Sequence, residues 1–493
     1  MSEPAGGVRL LETTFLGHQG WQFATANTRI LVDPLLVEPF GHSGAVGVVY
    51  PPRVLDVSAM APVDAVIFTH EHEDHFNIPS LNRISRDIPI HAPERSSLAM
   101  RRFLEEAGFT VRLMSAGKTI EWSDLHFTCF APDHLRHEEQ DEWETMLFLV
   151  EDMKDGGSFF SPVDVTVPAS VDARLRQRGA TPGLWGYANN VMNMSFQEQP
   201  SRPAPAVEPI IARFVAEHRR RPAPSVASLM CGDGFSFTGA RAWMNHAFFP
   251  LDSDQLFNGL QEVTPAERFI VPVPGTQITV DKDRIASISQ SAPFLRTLPR
   301  EQWPDRRYTP KALPSADAQP ASGRTALGPG ELDELTERLA EFAAFLYGGP
   351  LFKALYSLGA DSLPAGVRPS FAIAAMAEGS DSVFEYDPAG CRFELVKQAA
   401  PLSQYVAGLE CFASDLLDFL RGRMAPSALM FGRVVRWRGA GENLTPAIAR
   451  AIWTYGHPLR RQVQYLDLYR SLYALEPKDV PKVASRASAS QLR

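Results

Sequence analysis

Seven consecutive residues, Thr69-His70-Glu71-His72-Glu73-Asp74-His75, constrain this chain more than any other feature. They place three imidazoles and a carboxylate in the pattern His-x-His-x-Asp-His. Metal chemistry accounts for that density: neutral ring nitrogens ligate zinc or iron, and a carboxylate adds a hard anionic ligand. The competing reading is a His-rich surface loop. The run follows Asp64-Ala65-Val66-Ile67-Phe68, a short apolar segment that reads as a buried strand, so the ligands fall in the loop at a strand's end. Residues two apart point the same way in extended chain, so His70 and His72 can grip one ion. Asp74 and His75 follow where the chain turns and can face a second.

Four further segments carry a resemblance. Phe15-Leu16-Gly17-His18 and Thr28-Arg29-Ile30-Leu31-Val32-Asp33-Pro34 lie upstream, and Ala131-Pro132-Asp133-His134 and Gly157-Ser158-Phe159-Phe160-Ser161-Pro162-Val163-Asp164 downstream. With the His run they resemble the metallo-β-lactamase fold over roughly residues 8 to 285. The branch they look like holds the UlaG-type lactonases and the N-acylphosphatidylethanolamine phospholipases. The resemblance implies an α/β fold, an αββα sandwich. It implies that His70, His72 and His134 hold a first metal, that Asp74 and His75 hold a second, and that Asp164 bridges the two, which makes Asp74 and Asp164 the catalytic carboxylates. The cofactors would be two divalent ions, zinc first, with iron or manganese as alternatives. Asp33 and His18 would support the ligands from behind, Asp33 by accepting a hydrogen bond from a ligating ring. The other reading of Asp33 is a turn residue before Pro34.

One departure stands out. UlaG-like members end the domain with an apolar strand, Pro-x-His and a Gly-Thr pair. Here Arg268-Phe269-Ile270-Val271-Pro272-Val273-Pro274-Gly275-Thr276 fits the frame, with Val273 where the His belongs. Two repairs are open: His246, in an aromatic segment, supplies the ligand, against a reading as a partly buried packing residue, or the second metal is held more loosely or is absent. His137, Glu138 and Glu139 are a second reserve, otherwise a solvated charged loop.

The chain has 493 residues, too long for one ordinary domain, and 45% hydrophobic residues, enough for a substantial core. A net charge of -9 and the lack of any basic run longer than Arg219-Arg220-Arg221 argue against nucleic acid as partner. The N-terminus does not read as a signal peptide, and no apolar stretch is long enough to span a membrane. The four cysteines form no Cys-x-x-Cys or Cys-x-His pair, so reduced thiols in a cytoplasmic protein are expected. Assembly as a homo-oligomer is left open.

The expected organisation is a catalytic domain over 8–290, a Pro-rich linker over 296–330, an α+β accessory domain over 331–477 and a flexible tail over 478–493. Within the first domain, 169–250 reads as an insertion roofing the site. Its apolar residues, Trp185, Tyr187, Met192, Met194, Phe196 and Phe248, are expected to line a pocket for a sizeable, partly apolar, lipid-like or other small-molecule substrate. Ordinary packing between domains is the alternative. In the second domain, strands are expected at 370–376 and 382–397 and an amphipathic helix through Leu416-Leu417-Asp418-Phe419-Leu420. That order looks like a sterol-carrier-like domain, and less like the C-terminal half of metallo-β-lactamase-fold oxygenases.

Three functions are carried forward. The first is a metal-dependent hydrolase that turns a hydroxide held by two metals on an ester, lactone or phosphodiester. The second is a dinuclear non-haem iron oxygenase, a diiron monooxygenase acting on a natural-product or carrier-linked substrate, since His/carboxylate sites suit iron and dioxygen too. The third is a degenerate scaffolding member, which the intact His run opposes.

Overall fold

The computed structural model describes residues 10–42, 47–132, 144–177, 181–187, 192, 207–221, 225–232, 234–265, 267–282, 284–309, 320, 323–358, 363, 365–378, 381–396, 401–439 and 444–487. Two sheets face each other in its N-terminal part. The first has eight strands, in the order Ile285–Ser289, Gln277–Val280, Leu11–Gly17, Gly20–Ala24, Arg29–Val32, Ala65–Ile67, Ile90–Pro93 and Val111–Met114. The second has seven, in the order Phe269–Ile270, Ala227–Met230, Leu184–Tyr187, Ser158–Ser161, Leu147–Asp152, Leu125–Phe130 and Thr119–Glu121. Phe15, Trp21, Phe23 and Ile67 of the first meet Phe127, Phe148, Phe159 and Leu229 of the second in a sealed core. Trp21 and Phe159 lie 4.7 Å apart by ring centroids, a tilted pairing that aromatic quadrupoles favour.

Helices cover both outer faces. Leu98–Glu106 packs Met100 and Phe103 on the first sheet, and its N-cap Ser97 accepts from the Met100 amide. Ala169–Gln177, Val207–Arg219 and Ser253–Val263 cover the second sheet through Leu175, Phe214, Val215, Leu256 and Leu260. The layers are therefore α, β, β, α, a mixed α/β architecture consistent with a metallo-β-lactamase fold plus an additional C-terminal domain.

The described strands of 169–250 lie inside the second sheet and not over the site. Leu184–Tyr187 and Ala227–Met230 pair in parallel with each other and with Ser158–Ser161 and Phe269–Ile270, inside the second sheet. Parallel strands buried on both faces are apolar without alternation, which is why they look aperiodic in sequence. Trp185 and Tyr187 point to the helix-covered outer face and are 2% exposed.

The C-terminal part forms a five-stranded sheet, in the order Arg392–Leu395, Ser382–Asp387, Arg368–Met376, Tyr405–Phe412 and Arg436–Gly439. Glu331–Leu346, Ala413–Arg421 and Leu444–Tyr455 pack on it. Its core runs on into Phe235, Phe237, Phe248 and Phe249 of the N-terminal part. Phe248 lies 5.5 Å from Phe431, so it is shared core and not a pocket wall. Leu295–Thr297, at the start of the expected linker, pairs with Arg53–Leu55.

The last helix, Gln462–Leu475, leaves that domain and lies beside Leu98–Glu106 on the first sheet, burying Tyr465 and Tyr469. Up to residue 487, the segment expected to be a flexible tail is docked too. Val483 is fully buried and Ser485 nearly so, with backbone bonds from Val63 to Ala484 and from Ser85 to Val483. Among the described residues, no helix is long and apolar enough to cross a membrane.

Candidate metal centre

The His run begins where two parallel strands end. Val32 stands opposite Ile67, so Asp33 and Thr69 emerge side by side. The Asp33 carboxylate accepts from the Thr69 amide (2.8 Å) and from Thr69 Oγ1 (2.6 Å), and faces His75 Nδ1 at 2.9 Å. A carboxylate only accepts, so His75 carries its proton on Nδ1. The Thr69 hydroxyl proton is committed to Asp33, so Thr69 Oγ1 accepts from His70 Nδ1 at 2.9 Å. His70 therefore turns a bare Nε2 inward, and His75 turns its Nε2 to the same side. One buried carboxylate orients both rings, the contact expected of Asp33.

The inward atoms converge. His70 Nε2 lies 2.9 Å from His72 Nδ1 and 3.5 Å from Asp164 Oδ2, and His75 Nε2 lies 2.8 Å from the same Asp164 oxygen. Ligand atoms of His70, His72 and Asp164 lie within 4.8 Å of one another, as do those of His18, Asp74 and His75, and those of Asp33, His70 and His75. The His70 and His75 side chains are sealed, while Asp74 and Asp164 are about a quarter exposed and mark the open side. The backbone is strained at three places here: Asp33 (φ +44°), His18 (φ +47°) and Val163 (φ +55°), the last a β-branched residue next to Asp164. Each left-handed residue costs on the order of 1–3 kcal/mol, and such strain clusters at functional sites.

Electrostatics divides the imidazoles. Burial, then the neighbouring His75 and His72, pushes His70 well below the usual range, and burial lowers His72 to about 4. Both rings stay neutral, the form that ligates. Burial opposes charge on His75 as well, but Asp164, Asp33 and Asp74 outweigh it and raise its pKa. Burial likewise works against ionised Asp74, and His75 and His18 overcome it, so the carboxylate stays charged. Neutral His70 and His72 beside the ionised Asp74 fit a divalent ion, which would take the place of the His75 proton.

The intervening glutamates point outward. Glu71 accepts from the Ser97 amide, from Ser97 Oγ (2.7 Å) and from Tyr469 Oη (3.3 Å). Glu73 accepts from Ser427 Oγ. Burial raises both glutamates, Glu73 to about 7. The His72 ring lies 5.1 Å from Trp453. Tyr469, Ser427 and Trp453 all come from the C-terminal part. The sequence reading missed these contacts. The alternation of the run gives the outward direction of Glu71 and Glu73, but no local signal names partners so far along the chain.

The structure brings His18, Asp33, His70, His72, Asp74, His75 and Asp164 together. It does not bring in His246, whose Nδ1 is 3.1 Å from the Arg307 carbonyl oxygen and which belongs to none of these groups. Trp185, Tyr187 and Phe248 are core, and Met192 is exposed. His134, His137, Glu138, Glu139, Met194 and Phe196 lie outside the described residues.

Layered sheets with a His/Asp cluster at the strand ends define the class of fold built around metal ions. Residues 28–180 match the family model described as "Beta-lactamase superfamily domain". No curated protein matches the chain. Solved structures resemble it distantly. One, described as "a possible metal-dependent hydrolase" from Veillonella parvula, is 16% identical over 55% of this chain and 100% of its own, with a TM-score of 0.40. An isothiocyanate hydrolase from Delia radicum gut bacteria is 14% identical over 55% and 99%, at 0.39. CmlA, a diiron beta-hydroxylase from Streptomyces venezuelae, is 16% identical over 57% and 55%, at 0.33.

Proposed function

We propose that the protein is a metal-dependent hydrolase acting on an ester, lactone or phosphodiester. The observation that carries this reading is the pair His75 Nε2 and Asp164 Oδ2, 2.8 Å apart. With Nδ1 donating to Asp33, the buried Nε2 makes no hydrogen bond among the described residues although it faces the carboxylate, and a divalent cation held by both would satisfy the pair. His70, His72 and Asp164 would hold one divalent ion, and Asp74 and His75 a second, with Asp164 common to both. When bound, such ions polarise a carbonyl or phosphoryl oxygen and lower the pKa of water. The chain's own part is to orient and exclude. Asp33 and Thr69 lock the rings, the sealed imidazoles keep water from their rear, and the exposed edges of Asp74 and Asp164 admit substrate and water and accept protons from them. Trp185, Tyr187 and Phe248 are core and so give no support to a sizeable apolar substrate.

The test is elemental analysis of protein purified without added metal, with an ester, lactone and phosphodiester panel. Two zinc or manganese ions with turnover of one class, lost in Asp164→Asn, support the proposal. Two irons with an oxygen-dependent charge-transfer band and no hydrolysis refute it in favour of oxygenase chemistry. A protein that takes up no divalent ion refutes both.

A further inference from the structure

His18 repeats the geometry of His75 on the other flank of Asp74. It sits in the turn between Leu11–Gly17 and Gly20–Ala24, and its side chain is 4% exposed. Its Nδ1 is 3.1 Å from the carbonyl oxygen of Gly234. A carbonyl only accepts, so Nδ1 carries a proton. The other ring nitrogen, Nε2, faces Asp74 Oδ2 at 2.8 Å. His18, Asp74 and His75 offer ligand atoms that all lie within 4.8 Å of one another, close enough to share one ion. In both histidines one ring nitrogen is anchored to an oxygen and the other is aimed at a carboxylate, where a divalent cation can take the place of a proton.

Two further observations hold the ring in this pose. Phe40 and Phe235 flank it, with ring centroids 5.2 and 6.1 Å away, so it cannot swing out. Both central residues of the turn are left-handed, His18 at φ +47° and Gln19 at φ +60°. Turns of that kind favour Asn-Gly, because the two-residue hairpin needs φ > 0 at both positions; here His and Gln stand there instead.

The geometry points to His18 as a direct ligand of the second divalent ion, shared with Asp74 and His75, and not a residue that supports the ligands from behind. This rests on the metal reading above and extends it. The ion would gain a fourth ligand from the first hairpin, beside Asp74, His75 and the shared Asp164, in place of the His246 once expected there.

The test uses the full-length protein and Zn2+ or Co2+ alone. His18→Asn is the chosen variant, because Asn tolerates the left-handed backbone and preserves the turn. Wild type should take up two ions. His18→Asn should keep the first with unchanged affinity and bind the second at least about 100-fold more weakly, and its Co2+ spectrum should lose the second site's contribution. Should the variant fail to fold, the Co2+-loaded wild type decides the matter. It must show a hyperfine-shifted ring N–H assignable to His18 Nδ1, and its absence overturns the inference. Two ions at wild-type affinity in His18→Asn also overturn it, while leaving the hydrolase proposal standing. No ion in wild type overturns both.

Discussion

Asp33→Asn should disarm the metal centre while leaving the fold almost intact. Asn is isosteric and accepts the left-handed φ of +44°. The Thr69 amide, 2.8 Å from Oδ1, demands an acceptor and so fixes which way the new amide points. Its NH2 then replaces Oδ2 and must donate to Thr69 Oγ1 and His75 Nδ1. Thr69 Oγ1 in turn donates to His70 Nδ1. The bond from the Thr69 amide is kept and the other three survive with their direction reversed, so stability should change by less than about 1 kcal/mol. Both rings, however, now carry their proton on Nε2, the atom that faces the metal position. Loss of one such support typically costs 10–100-fold in metal affinity. Two rings are affected here, so a fall of about 100-fold or more is expected, or about 2.7 kcal/mol at 1.36 kcal/mol per decade. Chelator competition measures the affinity, and 15N imidazole shifts report the tautomers. Metal affinity within about threefold of wild type would refute the tautomer argument, since the substitution changes little else.

Three further outcomes follow from the packing. Ser427→Ala removes the described hydroxyl donor to buried Glu73 and should destabilise the protein by about 1–3 kcal/mol in urea unfolding; an unchanged midpoint would show that the contact contributes nothing. Phe248→Ala should lower stability by about 3–5 kcal/mol with no dependence of activity on substrate chain length, as expected of shared core. Val483→Ala should cost about 2 kcal/mol, from two buried carbons at about 0.8 kcal/mol each plus a small cavity, whereas a frayed tail would show no effect.

What was legible in the sequence followed from local chemistry. The His run, Asp33 and Asp164 are short-range patterns tied to strand ends, and the folded chain brings them together. The C-terminal strands at Arg368–Met376 and Ser382–Asp387 follow from apolar runs around a turn. The misreadings share a cause. Leu184–Tyr187 and Ala227–Met230 are parallel strands buried on both faces, and so carry no alternation to mark them as sheet. His246 was named for its residue type in an aromatic segment, but only the tertiary fold decides that its ring meets the Arg307 carbonyl. The docking of Val483 and Tyr469 on the first sheet depends on chain return across the whole molecule, which no window of sequence contains.

The outward anchors of the ligand run bear on how the protein is made. Tyr469 and Ser427 lie 398 and 354 residues beyond the glutamates they hold. At a synthesis rate of about 5–20 residues per second, roughly 20–80 s separate the emergence of the candidate metal ligands from that of their clamps. During that interval the ligand-bearing half is on the ribosome with Glu71 and Glu73 lacking these partners. Completion of this frame is thus a late event in translation, and a product cut short before the last helix would carry all the described candidate ligands without Tyr469 to hold Glu71.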